Sequence, residues 1–453
     1  MSHSTTSADP SSHLSLFPTL PAVIPPTTRL NFLKNWWQRS VMSASHAEGR
    51  LLQRIVPNTD ISLTQPSLYP LVGRSVAIPV GNGSHVNTFT LSPLTNSAKL
   101  PITDSAPTPV VWDHTSTWEQ GDKDAVLERG ENSKNLVMCH GYGAGLGFFY
   151  KNFYALGQVS GWNLYAIDWL GMGRSSRPKW TITKKSNQTW DDIVEETESH
   201  FVQSLEEWRK SVGLEKMTLM GHSLGGYFAT CYSLKYPERV EKLILVSPAG
   251  IAQSPKGLIS QEPSDKSPQE LLENEAKELG ATMQAEAAES AGQQLPPTTT
   301  PPARRIPGWA RYMWDHNITP MSIVRMIGPF GASLVNTYTS RRFAHLSTEE
   351  QHDIYDYIYQ ITSSTGSGEY ALASILAPGA YARKPLFHRL AKLEMPTVFI
   401  YGEQDWMDYK AAEEARKKMK VDTKVIRISE GGHHMYIDNP QEFNAAMVDE
   451  MKN

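Results

Sequence analysis

Cysteine is nearly absent: two residues, Cys139 and Cys231, in a chain of 453. Two thiols build neither a disulfide framework nor a zinc site. They read as small buried hydrophobes and suit a reducing compartment. A basic surplus is also missing. Lys and Arg total 43 against 47 Asp and Glu, a net charge of −4, so the electrostatic footprint of a nucleic-acid binder is excluded. No apolar run reaches the length of a membrane span, and nothing in the chain is expected to cross a bilayer. Residues 1–28 hold neither Lys nor Arg and are rich in Ser, Thr and Pro. They are expected to be disordered and make a poor import peptide. The triplets at Asn82, Asn187 and Asn317 match the glycosylation pattern, but without a secretory leader they read as chance.

What is present is globular: 40% hydrophobic and 20% charged residues. From about residue 75 the chain alternates strand-like and helix-like runs. Residues 75–80 and 86–91 read as a leading antiparallel pair. Short apolar runs at 136–139, 164–168, 217–220 and 243–247 end in Gly, Asp or Ser, with helical stretches such as 190–210 between them. Buried parallel strands covered by helices give that pattern, which is the α/β class. The rhythm stops after Ser247 and resumes at 397–401 and 424–428, followed by a closing helix that Asn439-Pro440-Gln441-Glu442 opens. The expected organisation is a disordered segment (1–28), a basic Trp-containing segment (29–65), a first core portion (66–250), a low-complexity insertion (251–306), a helical lid (307–391) and a second core portion (392–453). Helices inserted after a central strand lie over the carboxyl ends of the sheet, where ligands bind.

The most informative stretch is Gly221-His222-Ser223-Leu224-Gly225. An apolar strand precedes it and a helix ending before Pro237 follows it, the strand–turn–helix context of a serine nucleophile elbow. Serine chemistry needs a base, an orienter for the base, and donors for an oxyanion. His433, in the Gly431-Gly432-His433-His434 loop after the last strand, is the expected base, with His434 as rival ring. Asp405, after the preceding strand, is the expected acid, and Asp408 in the same loop is the alternative. The backbone N–H groups of Leu224 and Tyr142 are the expected oxyanion donors. No metal and no organic cofactor is implied.

These residues, with His140 to Gly147, Asp168-Trp169-Leu170-Gly171-Met172-Gly173-Arg174-Ser175-Ser176-Arg177-Pro178, Glu206-Glu207-Trp208-Arg209 and Gly328-Pro329-Phe330-Gly331, carry a resemblance. The chain resembles the α/β-hydrolase branch of N-acyl-phosphatidylethanolamine lipases, the lipid-droplet lipase co-activator and fungal mitochondrial cardiolipin deacylases. The resemblance implies a mostly parallel eight-stranded sheet with helices on both faces and a lid that binds acyl chains. It implies a phospholipid or lysophospholipid substrate of cardiolipin or N-acyl type, and a peripheral membrane protein at the mitochondrion, with lipid droplet or endoplasmic reticulum as other sites. Co-activator members carry Asn at the nucleophile position, whereas Ser223 groups this chain with the enzymes. His433 to Asp438 is similar to an H-x-x-x-x-D acyltransferase motif, which implies an acyl-CoA-dependent lysophosphatidic acid acyltransferase as the alternative activity, with acyl-CoA as co-substrate. A non-catalytic lipid-binding regulator is the third reading.

Residues 29–54 are basic and include Trp36-Trp37. Leu30, Leu33, Trp37 and Val41 share one helical stripe, while Phe32 points away. By pattern alone this helix either docks on the protein's own core or lies in a membrane interface. The family tilts Trp36 and Trp37 toward docking, with Lys34, Arg39, Arg50 and Arg54 meeting anionic head groups. In or beside the lid, Arg304, Arg305, Arg311, Arg325, Arg341, Arg342, Arg383 and Lys384 are candidates for head-group binding.

Overall fold

The computed structural model describes residues 20–55, 71–93, 110–113, 133–185, 187–253, 312–314, 316–377 and 381–453. Most of the expected insertion and most of the expected disordered segment lie outside the described residues. The strands are β1 (Leu71–Pro79), β2 (His85–Pro93), β3 (Val110–Asp113), β4 (Lys134–Cys139), β5 (Trp162–Ile167), β6 (Met217–His222), β7 (Val240–Val246), β8 (Leu376–Ala377), β9 (Tyr381–Ala382), β10 (Thr397–Gly402) and β11 (Thr423–Ile428). One sheet runs β11-β10-β7-β6-β4-β5-β2-β1-β3, and β8 and β9 form a small separate pair. Eight of the sheet's strands are the expected set. A ninth, the four-residue β3, extends the edge beside β1. From β5 to β11 every pairing is parallel, whereas β2 runs antiparallel to both β1 and β5. Each crossover between parallel neighbours needs a covering element, and that divides the apolar residues between two faces.

One face packs Trp208, Phe201 and Val194 of the helix Trp190–Val212 against Tyr165 and Val137. That helix starts on a capping box, Thr189 with Asp192, and the Trp208 indole donates to Thr88 Oγ1 at 2.9 Å. The other face gathers Phe89, Phe149 and Phe153 with Tyr355, Tyr357 and Tyr359 of the helix Thr348–Ser363. These tyrosines belong to the segment expected as lid and are core. Among the described residues no helix is long and apolar enough to cross a membrane.

The basic amino-terminal segment divides in two. The helix Val41–Gln53 docks on the core through buried Ala47, Glu48, Leu51 and Leu52. Glu48 pairs with Arg174 and accepts from Asn87 at 2.9 Å and Ser75 at 3.1 Å. Arg50 pairs with Asp356, and Arg54 Nε donates to Asp353 Oδ2 at 2.6 Å. Arg50 and Arg54 were expected at head groups; they are instead committed to carboxylates of the helix Thr348–Ser363. The preceding helix, Arg29–Trp37, inverts the usual arrangement. Its apolar stripe faces outward, with Leu30 60%, Leu33 49% and Trp37 81% exposed, and Val41 just beyond it 85% exposed. Phe32 packs on the core and Asn35 donates to the buried Tyr355 hydroxyl at 3.1 Å.

Two buried groups make testable claims on stability. Removing Glu48 leaves the mostly buried Arg174 guanidinium without its carboxylate partner, so Glu48→Ala should cost on the order of 2–3 kcal/mol in urea unfolding, below the full penalty for breaking a fully buried ion pair. His140 is fully buried; Nδ1 meets Gly141 O at 2.7 Å and Nε2 takes the Trp169 N–H at 3.2 Å. Burial, the largest influence, pushes its pKa from 6.5 down to about 4. Between those values the unfolded chain binds a proton that the folded chain does not, so stability falls as the pH drops through that window. From about pH 7 to about pH 5, wild type should lose on the order of 2 kcal/mol more than His140→Gln.

Candidate active site

Strand β6 ends at His222 and the next helix begins at Leu224, so Ser223 alone makes the turn. Its φ of 53° and ψ of −120° cost a residue with a β-carbon roughly 1–3 kcal/mol and persist only where the surroundings dictate them. Here they do. Ser223 N donates to Val246 O at 2.9 Å, and its carbonyl accepts from Gly226 N at 2.9 Å and Ala249 N at 3.0 Å. A β-carbon on Gly221 would stand 2.5 Å from the Gly225 carbonyl oxygen, and one on Gly225 would overlap the carbonyl of His140. Both glycines are required for this helix to start so close to β4 and β6.

The loop after β11 brings His433 to Asp405. His433 Nδ1 lies 3.1 Å from Asp405 Oδ1, which also accepts the Met407 N–H at 3.0 Å. Asp405 Oδ2 accepts from the Ser247 hydroxyl, and Ser247 Oγ is itself 3.1 Å from His433 Nδ1. The His433 carbonyl meets His222 Nε2 at 2.9 Å. Asp408 is turned elsewhere: it caps the helix Tyr409–Arg416 and accepts from Lys410 N at 3.0 Å. The rival ring, His434, is packed beside His222, Phe148 and Tyr436. Burial, and then the neighbouring Arg342 cation, hold its pKa well below the ordinary histidine value.

Asp438 is neither at His433's ring nitrogens nor at the helix cap. It takes two bonds of 2.9 Å from Arg342 and the Gly432 N–H at 3.0 Å, with His345 Nε2 at 3.7 Å. Asn439 caps the closing helix, accepting from Glu442 N at 3.2 Å. Asp438 therefore ties the histidine loop to the lid helix Pro329–Arg342.

Ser223, Leu224, Tyr142 and His433 line one cavity of about 480 Å³, with Trp314, Tyr338, Arg342 and His345 arching over it from the inserted helical segment. Leu224 is the first residue of its helix, where N–H groups lack an intrahelical acceptor. Among the described residues neither its N–H nor that of Tyr142 donates to another protein group. Of the candidate head-group cations, Arg342 faces this cavity. Arg325 pairs with Glu369, Arg383 lies over the Trp190 ring, and Lys384 pairs with Glu195. Arg304, Arg305 and Arg311 lie outside the described residues.

Sequence reasoning missed Ser247. It closes β7 with a left-handed φ of 47°, and the only hint was a serine immediately after an apolar strand. The Arg342–Asp438 pairing was equally hidden, since 96 residues separate its members.

Comparison with known proteins places the chain. The family profile described as alpha/beta hydrolase fold matches residues 134–440. A probable 1-acylglycerol-3-phosphate O-acyltransferase of Oryza sativa is 40% identical over 323 residues, 70% of this chain and 67% of that protein. The human 1-acylglycerol-3-phosphate O-acyltransferase ABHD5 is 33% identical over 335 residues, 72% of this chain and 80% of its own length. A mouse (lyso)-N-acylphosphatidylethanolamine lipase is 32% identical over 350 residues, covering 76% of this chain and 83% of the lipase. The elbow, the strand order and these relatives lead to one conclusion: the chain belongs to the alpha/beta hydrolase fold family, in the branch that holds these acyltransferase and lipase relatives.

Proposed function

We propose that this protein is a serine-dependent carboxylic ester hydrolase acting on phospholipids or lysophospholipids, with cardiolipin-type and N-acyl phospholipids the leading candidates. One observation carries the reading: the strained Ser223 opens into the same cavity as His433, whose far ring nitrogen meets Asp405. Ser223 Oγ attacks the ester carbonyl while His433 Nε2 takes its proton. Asp405 holds the Nδ1–H and stabilises the imidazolium that forms. The Leu224 and Tyr142 N–H groups receive the developing oxyanion. The C–O bond to the leaving group breaks, and His433 returns the proton to that alkoxide. Water then repeats the sequence on the acyl-serine and releases a fatty acid. The steps need no metal and no cofactor.

A phosphorylated lipid is favoured by the relatives' names. Arg342 lines the cavity, but its guanidinium is engaged by Asp438, so it adds positive potential there and no free fork for phosphate. The relatives also support a second reading, acyl-CoA-dependent acylation of lysophosphatidate through His433 and Asp438. Against it, the Asp438 carboxylate is already occupied by Arg342 and the Gly432 N–H. Lysophosphatidate supplied to purified protein with and without acyl-CoA separates the readings. Free fatty acid is expected in both arms; net acylation in the second arm supports the transferase, and neither product supports a non-catalytic lipid binder.

The outward stripe of Leu30, Leu33, Trp37 and Val41 supports docking on a lipid surface, and the lid adds exposed Met326 and Phe330 beside it. Trp36 sits between them, near Gly328. The mitochondrial expectation gains nothing from the relatives' names, and the proposal is confined to a lipid surface.

On a short-chain soluble ester, Ser223→Ala should lower turnover by on the order of 10³-fold or more. Asp405→Asn should lose roughly 10³–10⁴-fold by fixing the wrong histidine tautomer. Asp408→Asn should stay close to wild type, and the reverse ranking would move the acid. Trp36→Ala/Trp37→Ala should lose vesicle co-sedimentation while keeping activity on the soluble ester; undiminished sedimentation would place the docking face elsewhere.

A further inference from the structure

A second cavity, larger than the catalytic one, opens on another part of the surface. It encloses about 790 Å³ and shares no lining residue with the first. Its walls come from four places: the junction of the two amino-terminal helices, His85 at the start of β2, the 173–177 loop after β5, and the carboxyl end of the helix Thr348–Ser363 with the residues just after it. The lining includes three arginines, a histidine and several hydroxyl groups, and no carboxylate among the described residues.

Two of the arginines are committed. Arg174 pairs with Glu48. Arg177 donates to the carbonyls of Gly171, Gly173, Ile361 and Thr365 and lies 3.9 Å from Glu369. Arg39 is different. Its Nε donates to Trp36 O at 2.9 Å, and its guanidinium carbon sits 5.5 Å from the Trp36 ring centre. That holds the planar group in place and leaves both terminal nitrogens without a carboxylate partner among the described residues. Ser40 and Ser364 flank the hollow.

The rim has the opposite character. Trp37 and Val41 line the mouth and are 81% and 85% exposed, and Leu33 and Met42 continue the apolar surface. A cationic, hydroxyl-walled hollow ringed by exposed hydrocarbon matches an amphiphile whose head is anionic. A choline head would bring its cation toward Arg39, and the Trp36 face that would cradle it is already covered by that guanidinium. A free phosphate would satisfy the arginine but would make no use of the rim.

We infer that this cleft binds the phosphate of an anionic phospholipid belonging to the surface on which the protein docks, separate from the lipid undergoing reaction. Arg39 meets the phosphate oxygens, and the acyl chains stay among the neighbouring lipids along Trp37 and Val41. The inference rests on the docking reading and refines it, because docking then depends on lipid composition. The occupied cleft also bridges the amino-terminal helices and the helix Thr348–Ser363, so bound lipid holds the docking segment against the inserted helices.

The test uses the full chain carrying Ser223→Ala, so that lipid is not consumed, and phosphatidylcholine vesicles with or without phosphatidic acid. Phosphatidic acid should raise binding, and Arg39→Gln should remove clearly more of that gain than the roughly fivefold that one basic residue contributes by general attraction to a charged surface. Lys34→Gln is the control for general surface charge, an exposed cation of the helix Arg29–Trp37 that lies outside the cleft. Equal losses in the two variants would reduce the effect to general surface charge and overturn the cleft. If no vesicle binds wild type, the docking reading itself fails. The cleft is then read by calorimetric titration with dihexanoyl phosphatidic acid, where an Arg39-dependent site sustains it and its absence overturns it. Inorganic phosphate that saturates the same site equally well would overturn the lipid as its source.

Discussion

The site depends on one steric constraint: strand β6 and the helix that follows it meet with no side chain between them. Gly221 and Gly225 supply the missing β-carbons, and the Ser223 backbone is then forced into a conformation it would otherwise avoid. The energetic cost is modest, roughly 1–3 kcal/mol, and the hydrogen bonds from Gly226 and Ala249 offset it locally. The strain brings a consequence for chemistry. It places the hydroxyl at the head of a helix whose first N–H is unbonded within that helix, so the proposed nucleophile and a proposed oxyanion donor come from adjacent residues of one rigid element. Neither can drift relative to the other without breaking the turn.

Buried carboxylates bind the remaining pieces to that turn. Asp168 accepts from Leu146 N at 2.7 Å, Arg174 N at 2.8 Å and Asn87 at 2.8 Å, which joins the glycine-rich loop after β4 to the loop after β5 and to strand β2. Glu48 continues the chain of contacts through Arg174 to the amino-terminal helix. Asp353 and Asp356 then connect Arg50 and Arg54 of that helix to the inserted segment. Charges at this depth are retained only when paired or well hydrogen-bonded: Glu48, Asp353 and Asp356 each have an arginine, and Asp168 is held by three N–H donors. The network explains how a helix far upstream in sequence becomes one wall shared with the inserted helices.

Much of this was legible in the sequence, for identifiable reasons. The parallel strands, buried on both faces, appear as continuous apolar runs. Ser223, His433 and Asp405 each follow such a run, so their place at strand ends required no knowledge of side-chain geometry. The choice between Asp405 and Asp408 was not legible, because three residues along one loop differ in what they face only once the helix at Tyr409 starts and Asp408 becomes its cap. Ser247, and the pairing of Arg342 with Asp438, were missed because their partners are distant in sequence. The four-residue β3 has too short a pattern to separate from a loop. The arginines of the second amino-terminal helix looked like surface charge because Asp353 and Asp356, which neutralise them, lie some three hundred residues downstream.

The apolar stripe of residues 29–41 is the case where periodicity and burial part company. An amphipathic pattern states which residues share a face and leaves open what that face meets. In an ordinary peripheral helix the apolar face would be turned inward. Here the interior side is specified by two smaller commitments, Phe32 packing on the core and the Asn35 bond to the buried Tyr355 hydroxyl. They suffice because the adjoining helix is anchored independently through Glu48, Leu51 and Leu52. With orientation fixed in that way, the stripe costs the fold nothing in lost core and remains available as surface. The same anchoring sets Arg39 at the helix junction, held on Trp36 beside exposed hydrocarbon. On the proposed reading, lipid contact and catalysis thereby occupy different cavities, joined through the inserted helices.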